Sequence, residues 1–310
     1  MENKNKTLVT ELFFLGLNEL GRFRNLLFFL ILVAYTMTVA FNILIITLVS
    51  TKKCLNFPMY FFLKHFLGSE MFSVTFVTPN LLRMLWLGGA PMSISGCIAQ
   101  SYLCGVTGST DCYLLAAMAY DRYLAICRPL YYNLIMDLGL QYFLVIFSWL
   151  MGFLLTLITL SFLVKLKFCG RSIIDHYFCD LSPLIDLTCS DISAFQIEIF
   201  VLSVPVIVMP FIFVLASYAC VFATILGMSS ISGRKKAFST CSSHLLVVGL
   251  FYGFLIINYA VPVKGHPMAI NKAISLIYIV GTPLLSPIIY SMRNQDVRNV
   301  IKALFIVHKV

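Results

Sequence analysis

Charged residues are scarce in this chain, and their scarcity excludes most classes of soluble protein. Only 11% of the 310 residues are Asp, Glu, Lys or Arg, whereas about a quarter are charged in soluble domains. Hydrophobic residues make up 60%, and the mean hydropathy is +0.93. The net charge of +9 is dispersed between apolar stretches, with no soluble basic domain to carry it, so we expect no nucleic-acid partner. The composition instead predicts a protein of the lipid bilayer.

Sequence signatures of catalysis are missing as well. The five histidines are scattered without the spacing of a metal site, and neither a Gly-x-Ser-x-Gly element nor a phosphate-binding loop occurs. The two halves of the chain show no repeat of the kind that many membrane transporters carry. We therefore expect no enzyme activity and no metal centre, and we keep a small transporter only as a weaker alternative.

Long apolar segments are what the chain has in abundance. A bilayer core of about 30 Å requires roughly 20 apolar residues per helix. Seven segments of that kind lie near residues 25–50, 57–82, 98–126, 139–164, 196–227, 237–261 and 270–291. Residues 293–305 have the pattern of a short amphipathic helix on the membrane surface. The sequence thus predicts an all-α membrane protein: a seven-transmembrane helix bundle over residues 25–291, preceded by an extracellular segment over 1–24 and followed by a cytoplasmic tail over 292–310.

Two features orient the bundle. Asn5-Lys6-Thr7 is the only Asn-x-Ser/Thr acceptor in the chain, and Asn5 is glycosylated only if the amino terminus faces the lumen. Four cysteines fall on the same predicted side, where an oxidising compartment permits disulfides. They are Cys97, Cys169, Cys179 and Cys189. Four cysteines allow three pairings, among which sequence does not choose. We expect a multi-pass protein of the plasma membrane with an extracellular amino terminus.

An adjacent acid and arginine, Asp121 and Arg122, lie at the end of a long apolar helix, and Pro129 ends that helix. Charges at membrane depth are expensive and usually serve a function. The pair therefore indicates a switch near the cytoplasmic water boundary rather than an ordinary surface ion pair.

The stretch around this pair resembles the third-helix signature of olfactory receptors, a branch of the rhodopsin-like G-protein-coupled receptors. It reads Met-Ala-Tyr-Asp-Arg-Tyr-Leu-Ala-Ile-Cys-Arg-Pro-Leu-Tyr-Tyr over residues 118–132. Other blocks follow in the family's order: Pro-Met-Tyr-Phe-Phe-Leu at 58–63, Lys-Ala-Phe-Ser-Thr-Cys at 236–241 and Pro-Leu-Leu-Ser-Pro-Ile-Ile-Tyr at 283–290. The resemblance covers nearly the whole chain. The block at 236–241 argues against a non-olfactory rhodopsin-like receptor, which is the nearest alternative.

The resemblance implies a function, partners and disulfides. It implies a receptor that binds a small volatile odorant and activates a heterotrimeric G protein of the stimulatory olfactory type, raising cyclic AMP. It also implies that Cys97 pairs with Cys179, and Cys169 with Cys189, so that the second outer loop covers the bundle.

The resemblance further implies a switch that includes Asp121, Arg122 and Tyr123. In the resting state Asp121 holds Arg122 at the helix end, and on activation Arg122 turns inward to open a cavity for the G protein. Tyr218 and Tyr290, near the same face by motif position, are expected to accept or relay contacts through their hydroxyls.

Three positions depart from the family's usual pattern. Ser286 stands where Asn usually precedes Pro-x-x-Tyr, Glu70 where Asp is usual in the second helix, and Asp111 where Glu is usual in the third. Two facing carboxylates in a dry bundle cannot both ionise cheaply. We hypothesise one coupled site of Glu70 and Asp111, with Asn42 and Ser286 nearby, that holds a sodium ion or shares a proton. Two separately hydrated acids are the alternative.

Ligand pockets in helix bundles lie between helices and are apolar with a few polar groups. Helical spacing in the outer halves selects Cys104, Gly108, Ser109, Leu202, Ser203, Val206, Tyr252, Ile256, Tyr259, Leu276 and Ile279 as candidate ligand-binding residues. No aspartate occupies the upper third helix, where an amine would be anchored. The selection predicts a small, neutral, mostly apolar ligand, although many of these residues also suit helix packing.

Overall fold

Seven long helices make up most of the chain in the computed structural model, which describes residues 11–169, 172–260, 268–293 and 295–307. They are α1 (Arg24–Thr51), α2 (Pro58–Leu87), α3 (Ile94–Cys127), α4 (Leu138–Leu163), α5 (Ser193–Gly227), α6 (Ile231–Ala260) and α7 (residues 268–293). A further helix, α8 (Gln295–Val307), follows α7 where the amphipathic pattern predicted it. The predicted seven-helix fold and its amphipathic terminal helix are confirmed.

Local chemistry sets several of the helix ends. Pro58 occupies the first turn of α2, where its missing N–H costs nothing. The side chain of Ser93 accepts a hydrogen bond from the Gly96 backbone N–H at the start of α3, and Asp137 does the same for Leu140 at the start of α4. These caps satisfy backbone donors that the first helical turn leaves unpaired.

Helix α3 is the centre of the bundle, and this explains why its hydropathy is low. It packs against α2, α4, α5 and α6. Because it is surrounded by protein, it buries polar side chains that a lipid-facing helix would not tolerate, among them Thr107, Thr110 and Asp111. Five helical runs of the described chain are long and apolar enough by themselves to cross a membrane. They are Gly21–Thr51, Leu138–Leu163, Ser193–Gly227, Ile231–Ile257 and Lys272–Ser291, so α2 and α3 are recognised by their packing instead.

Two helices contain a wider turn near a proline. Residues Val204–Val208 of α5 and Ile277–Gly281 of α7 form π-turns. Pro205 lies within the first turn, and its carbonyl oxygen accepts a hydrogen bond from the Tyr113 hydroxyl at 2.8 Å. Proline removes a helical hydrogen bond, and a π-turn is one way to absorb that loss.

A small sheet, which was not predicted, covers the end of the bundle that is called the outer end after its predicted orientation. Strand β1 (Glu11–Phe14) lies in the middle, antiparallel to β2 (Ala90–Ser93) and parallel to β3 (Ile173–Ile174). Within β1, Leu12 and Phe14 are buried. The segment that precedes α1 is therefore packed against both the α2–α3 turn and the second outer loop.

Candidate functional site

Two disulfides hold the loop between α4 and α5 over the bundle. Cys97 at the top of α3 is bonded to Cys179, with the Cα atoms 5.3 Å apart. Cys169 is bonded to Cys189 within the loop, with the Cα atoms 5.8 Å apart. The predicted pairing is confirmed.

Hydrogen bonds fix the loop segment next to the first disulfide. The backbone N–H of Cys179 donates to Gln100 Oε1 at 3.0 Å, and Gln100 Nε2 donates to the carbonyl oxygen of Phe76 at 2.8 Å. One glutamine of α3 thus joins the loop to α2. The backbone around Cys179 is consequently held by both a covalent and a polar connection.

A second contact joins the loop to α7. Lys272 Nζ lies 2.6 Å from Asp175 Oδ1, and the Tyr177 hydroxyl donates to the backbone oxygen of Lys272 at 3.3 Å. His176, which lies between Asp175 and Tyr177 in the chain, is buried, and its ring stacks on that of Tyr177 with the ring centroids 4.7 Å apart. Burial, followed by the nearby Lys272 charge, lowers the pKa of His176 to about 4. His176 is therefore neutral at pH 7, and this segment is a tightly packed lid.

Below the lid lies a cavity of about 570 Å³ between α3, α4, α5, α6 and α7. Of the candidate ligand-binding residues, those that line it are Cys104, Gly108, Ser109, Leu202, Ser203, Val206 and Ile279. The loop contributes Phe178, Cys179 and Asp180. Seven of the eleven candidates that helical spacing selected therefore lie in the cavity wall, to which the lid also contributes.

Helix α6 is turned differently from what its spacing predicted. Ile256 is 48% exposed on the outside of the bundle, and Leu255 lines the cavity instead. Tyr252 is buried against Phe211 of α5, with ring centroids 4.6 Å apart, and its hydroxyl lies beside Cys112 of the cavity wall. Because residues 245–257 of α6 are almost all apolar, their spacing does not fix the rotation of this part of the helix.

The two remaining candidates are Leu276 and Tyr259. Leu276 packs among the outer-half core residues rather than lining the cavity. The side chain of Tyr259 and the whole of Asn5 lie outside the part of the chain that the structure describes.

Four polar residues from four helices meet one level below the cavity. Ser286 Oγ of α7 donates to Glu70 Oε1 of α2 at 2.8 Å. Asn42 Nδ2 of α1 donates to the carbonyl oxygen of Pro283 at 3.2 Å. Asp111 of α3 lies close enough for its charge to act on Glu70. All four are buried. Ser286 and Asp111 both act on Glu70, and Asn42 reaches the same stretch of α7 through the backbone of Pro283.

At the inner end of α3, Asp121 binds two partners at once. Arg122 Nε donates to Asp121 Oδ2 at 2.9 Å, and Arg122 Nη2 contacts the same oxygen. The Tyr132 hydroxyl donates to Asp121 Oδ1 at 2.7 Å. Asp121 is fully buried and Arg122 is 9% exposed. The contact predicted for the resting state is therefore present, with Tyr132 as an additional partner that sequence reasoning missed.

The tyrosines of the predicted switch surround this pair. Tyr218 of α5 lies 2.5 Å from His244 Nδ1 of α6, so the partner of its hydroxyl is a histidine that sequence reasoning left without a role. Tyr290 of α7 is buried, whereas Tyr123 is partly buried and stacks on Tyr120 at 6.3 Å. A contact between a tyrosine of one helix and a histidine of the next depends on how the two helices pack, so the sequence alone does not reveal it.

Known proteins resemble this chain over almost all of its length. The family model described as "Olfactory receptor" matches residues 30–308. Olfactory receptor 6B1 of Homo sapiens is 42% identical over 304 residues, which are 98% of this chain and 97% of that protein. Olfactory receptor 11L1 of Homo sapiens is 43% identical, over 97% of this chain and 94% of that protein, and Olfactory receptor 6Z7 of Mus musculus is 40% identical, over 95% and 94%. The chain therefore belongs to the olfactory receptor family: it is an odorant-sensing G-protein-coupled receptor of the membrane and not an enzyme.

Proposed function

We propose that the receptor binds a small, mostly apolar, neutral odorant in the cavity between α3, α4, α5, α6 and α7. The observation that carries this proposal is the cavity itself, about 570 Å³ in volume and lined mainly by apolar side chains under a disulfide-held lid. A volatile molecule in such a cavity is held chiefly by dispersion, with one or two hydroxyls to orient it. Family membership sets aside the transporter and the non-olfactory receptor as alternatives.

A ligand screen tests this part of the proposal. Cells that express the receptor are exposed to alcohols, aldehydes, ketones, esters and acids, and cyclic AMP is measured. We expect responses among neutral compounds. Responses confined to charged carboxylic acids would contradict a neutral-ligand cavity.

We further propose that binding releases Arg122 from Asp121 and activates a G protein of the stimulatory olfactory type. Support comes from the position of the pair on α3, the same helix that lines the cavity. From Gly108 to Arg122 the helix rises by about 20 Å. Arg122→Ala is expected to abolish the cyclic AMP response at an unchanged surface level. Arg83→Ala, an exposed arginine on the outer half of α2, serves as the control and should respond like the parent.

For the polar core we propose a coupled pair of acids, Glu70 and Asp111, that holds a sodium ion or shares a proton. The Ser286–Glu70 hydrogen bond and the neighbouring Asn42 supply oxygen and amide groups of the kind that either role requires. Two separately hydrated acids remain the alternative, and the double-substitution experiment in the Discussion separates them.

We also propose that the receptor lies in the plasma membrane with its amino terminus outside and Asn5 glycosylated. The two disulfides on the side of the cavity favour this orientation, because they form in an oxidising compartment. An amino-terminal epitope tag should be stained on intact cells. Asn5→Gln should abolish the mobility change that glycosidase treatment produces, and staining only after permeabilisation would contradict the orientation.

A further inference from the structure

One charged side chain stands in the wall of the cavity. Among the described residues that line it, Asp180 is the only one with a formal charge. It follows Cys179 directly, so the disulfide to α3 and the hydrogen bond to Gln100 set its position. The loop was not among the sequence-derived candidates, and it brings an acid to a cavity that the helices alone make neutral.

One oxygen of the Asp180 carboxylate already has a hydrogen-bond partner. Oδ1 accepts a hydrogen bond from the Leu181 backbone N–H at 2.8 Å. Burial raises the pKa of Asp180, and this backbone donor opposes the rise. The pKa of Tyr177 is also raised, by burial and by the Asp180 charge. A group that donates a hydrogen bond or carries positive charge would therefore stabilise the carboxylate in the cavity.

Two hydroxyls of the cavity wall already donate their protons in hydrogen bonds within the protein. Thr159 Oγ1 of α4 donates to Glu198 Oε1 at 2.8 Å. Ser203 Oγ of α5 donates to the carbonyl oxygen of Phe200 at 2.7 Å. A hydroxyl has one proton and two acceptor lone pairs. With that proton committed, each of these oxygens can only accept a hydrogen bond from a ligand.

We propose that the cavity selects odorants whose head group donates hydrogen bonds to Asp180, Thr159 and Ser203. Within the neutral class proposed above this head group is a hydroxyl on an apolar tail, and a protonated amine is the one charged head group that the acid of the lid admits. Ethers, ketones and esters of the same length offer only acceptors, and carboxylates add a charge of the same sign as Asp180. The inference rests on the proposed function, since it names the ligand class of the same cavity. Gln196, Ser101 and Ser109 also line the wall and carry donors for an acceptor head group, but none of them carries the positive charge that would neutralise Asp180, on which the preference therefore rests.

The first test compares ligands that differ only in the head group. Octan-1-ol, octylamine, methyl octyl ether and octanoate are applied to cells that express the unmodified receptor, and half-maximal concentrations for cyclic AMP are measured. We expect the alcohol and the amine to be at least about tenfold more potent than the ether, and octanoate to be the weakest. An ether as potent as the alcohol would overturn the inference and leave the proposed function standing. Silence towards all four compounds would overturn the inference, whereas the wider ligand screen decides the proposed function.

The second test removes the charge. Asp180→Asn keeps a side chain that caps the short helix Leu181–Asp186, so the loop should retain its shape. The amine should lose at least about tenfold in potency, and the alcohol less, because only the amine gains from the full charge. Asp191 is an exposed acid of the same loop that does not line the cavity. Asp191→Asn is therefore the matched control and should leave the potencies of the amine and the alcohol unchanged.

If the Asp180→Asn variant does not reach the cell surface, the same comparison of ligands is made with Ser203→Ala. That change removes one accepting oxygen and should weaken alcohol and amine relative to the ether. An unchanged ranking of the three compounds in both variants would contradict the proposed contacts.

Discussion

At the scale of single residues, the resting arrangement at the inner end of α3 depends on how many hydrogen-bond donors the Asp121 carboxylate has. Its carboxylate is fully buried and accepts from the Arg122 guanidinium and the Tyr132 hydroxyl. A buried carboxylate that loses a donor pays the full cost of desolvation, because water does not replace the lost partner. Tyr132 therefore stabilises the state in which Arg122 is held.

Removing the Tyr132 hydroxyl should raise signalling in the absence of ligand. A hydrogen bond to a charged group contributes about 1.5–3 kcal/mol, so Tyr132→Phe is expected to increase basal cyclic AMP several-fold at equal surface level. The neighbouring Tyr131 is 55% exposed, and Tyr131→Phe is the matched control that should leave basal activity unchanged. Equal basal activity in the two variants would show that Tyr132 does not hold the switch.

Sequence predicted the Asp121–Arg122 contact but neither Tyr132 nor His244 as partners of the switch. A contact between two residues that are adjacent in one helix can be predicted from the sequence alone. The Asp121–Tyr132 bond crosses a helix end and a turn, and the Tyr218–His244 contact joins two helices. Such contacts depend on how the chain reverses and packs, which the spacing of residues within one helix does not specify.

At the scale of elements, the packing of α3 on α4 is closest at Gly152, a glycine of α4. A Cβ atom at Gly152 of α4 would lie 2.3 Å from Thr110 Oγ1 and 2.8 Å from the carbonyl oxygen of Val106, both on α3. Small residues of this kind let membrane helices approach closely. The absence of a side chain at Gly152 therefore sets the distance between the two helices.

Gly152→Ala should separate α3 from α4. Forcing a methyl group into a closed contact costs about 1–3 kcal/mol, so we expect a lower melting temperature of the purified receptor and less receptor at the surface. Gly249→Ala is the matched control, because a Cβ at Gly249 in α6 meets no heavy atom within 4 Å. Alanine there should be neutral or stabilising, since it is the better helix former. A Gly152→Ala receptor as stable as the control would refute this account of the packing.

The packing of the lid should depend on pH through His176. The pKa of this ring is about 4 in the folded chain, below its ordinary value of 6.5, so the unfolded state binds more protons between these two pH values. Stability is therefore complete above pH 6.5 and falls as the pH decreases towards 4. A protonated ring would also meet the charge of Lys272 and would lose the bond that Nδ1 accepts from the Phe178 backbone N–H at 3.4 Å.

Melting temperatures at pH 7 and pH 5 test the role of His176. The loss attributable to this residue is up to about 2 kcal/mol at pH 5, and His176→Gln should reduce the difference between the two temperatures. Asp175, which pairs with Lys272, and Asp180, whose raised pKa has the opposite effect on stability, are present in both proteins. Comparing the two pH differences therefore isolates the histidine. Identical differences would exclude it as the titrating group.

Element by element, the helices could be predicted, and so could the two disulfides through the resemblance, whereas the other contacts at the outer end could not. Apolar length predicted seven spans because a bilayer demands it, although only five runs of the described chain are long and apolar enough by themselves. Strand β1 has an alternating pattern of only four residues, Glu11–Phe14, which is too short to distinguish from an irregular segment. The rotation of α6 was wrong for Ile256, since a helix that faces both lipid and protein is apolar on all sides. Asp180 escaped notice because its position depends on a disulfide and a loop rather than on helical spacing.

At the scale of the whole molecule, α3 connects every part of the proposed mechanism. Its outer end carries the disulfide to the lid, its middle lines the cavity, and its inner end carries the Asp121–Arg122 pair. Asp111 lies between cavity and switch, one turn below Gly108 and about 16 Å from Arg122 along the helix. A displacement of α3 that starts at the ligand cavity would therefore affect the acids of the polar core before it affects the switch.

The coupling of those acids decides whether the core acts as one unit. Glu70→Asp shortens one arm and Asp111→Glu lengthens the other, so each single variant changes the combined reach while the double variant restores it. If the pair shares a proton or a cation across a fixed gap, each single change should impair surface level and signalling, and the double variant should recover, with an interaction energy of about 0.5–3 kcal/mol. Both acids are buried, and Glu70 also accepts from Ser286, so the gap is set by packing rather than by solvent. Two hydrated acids that act separately would give strictly additive effects, because water adjusts to a change of one methylene at either side.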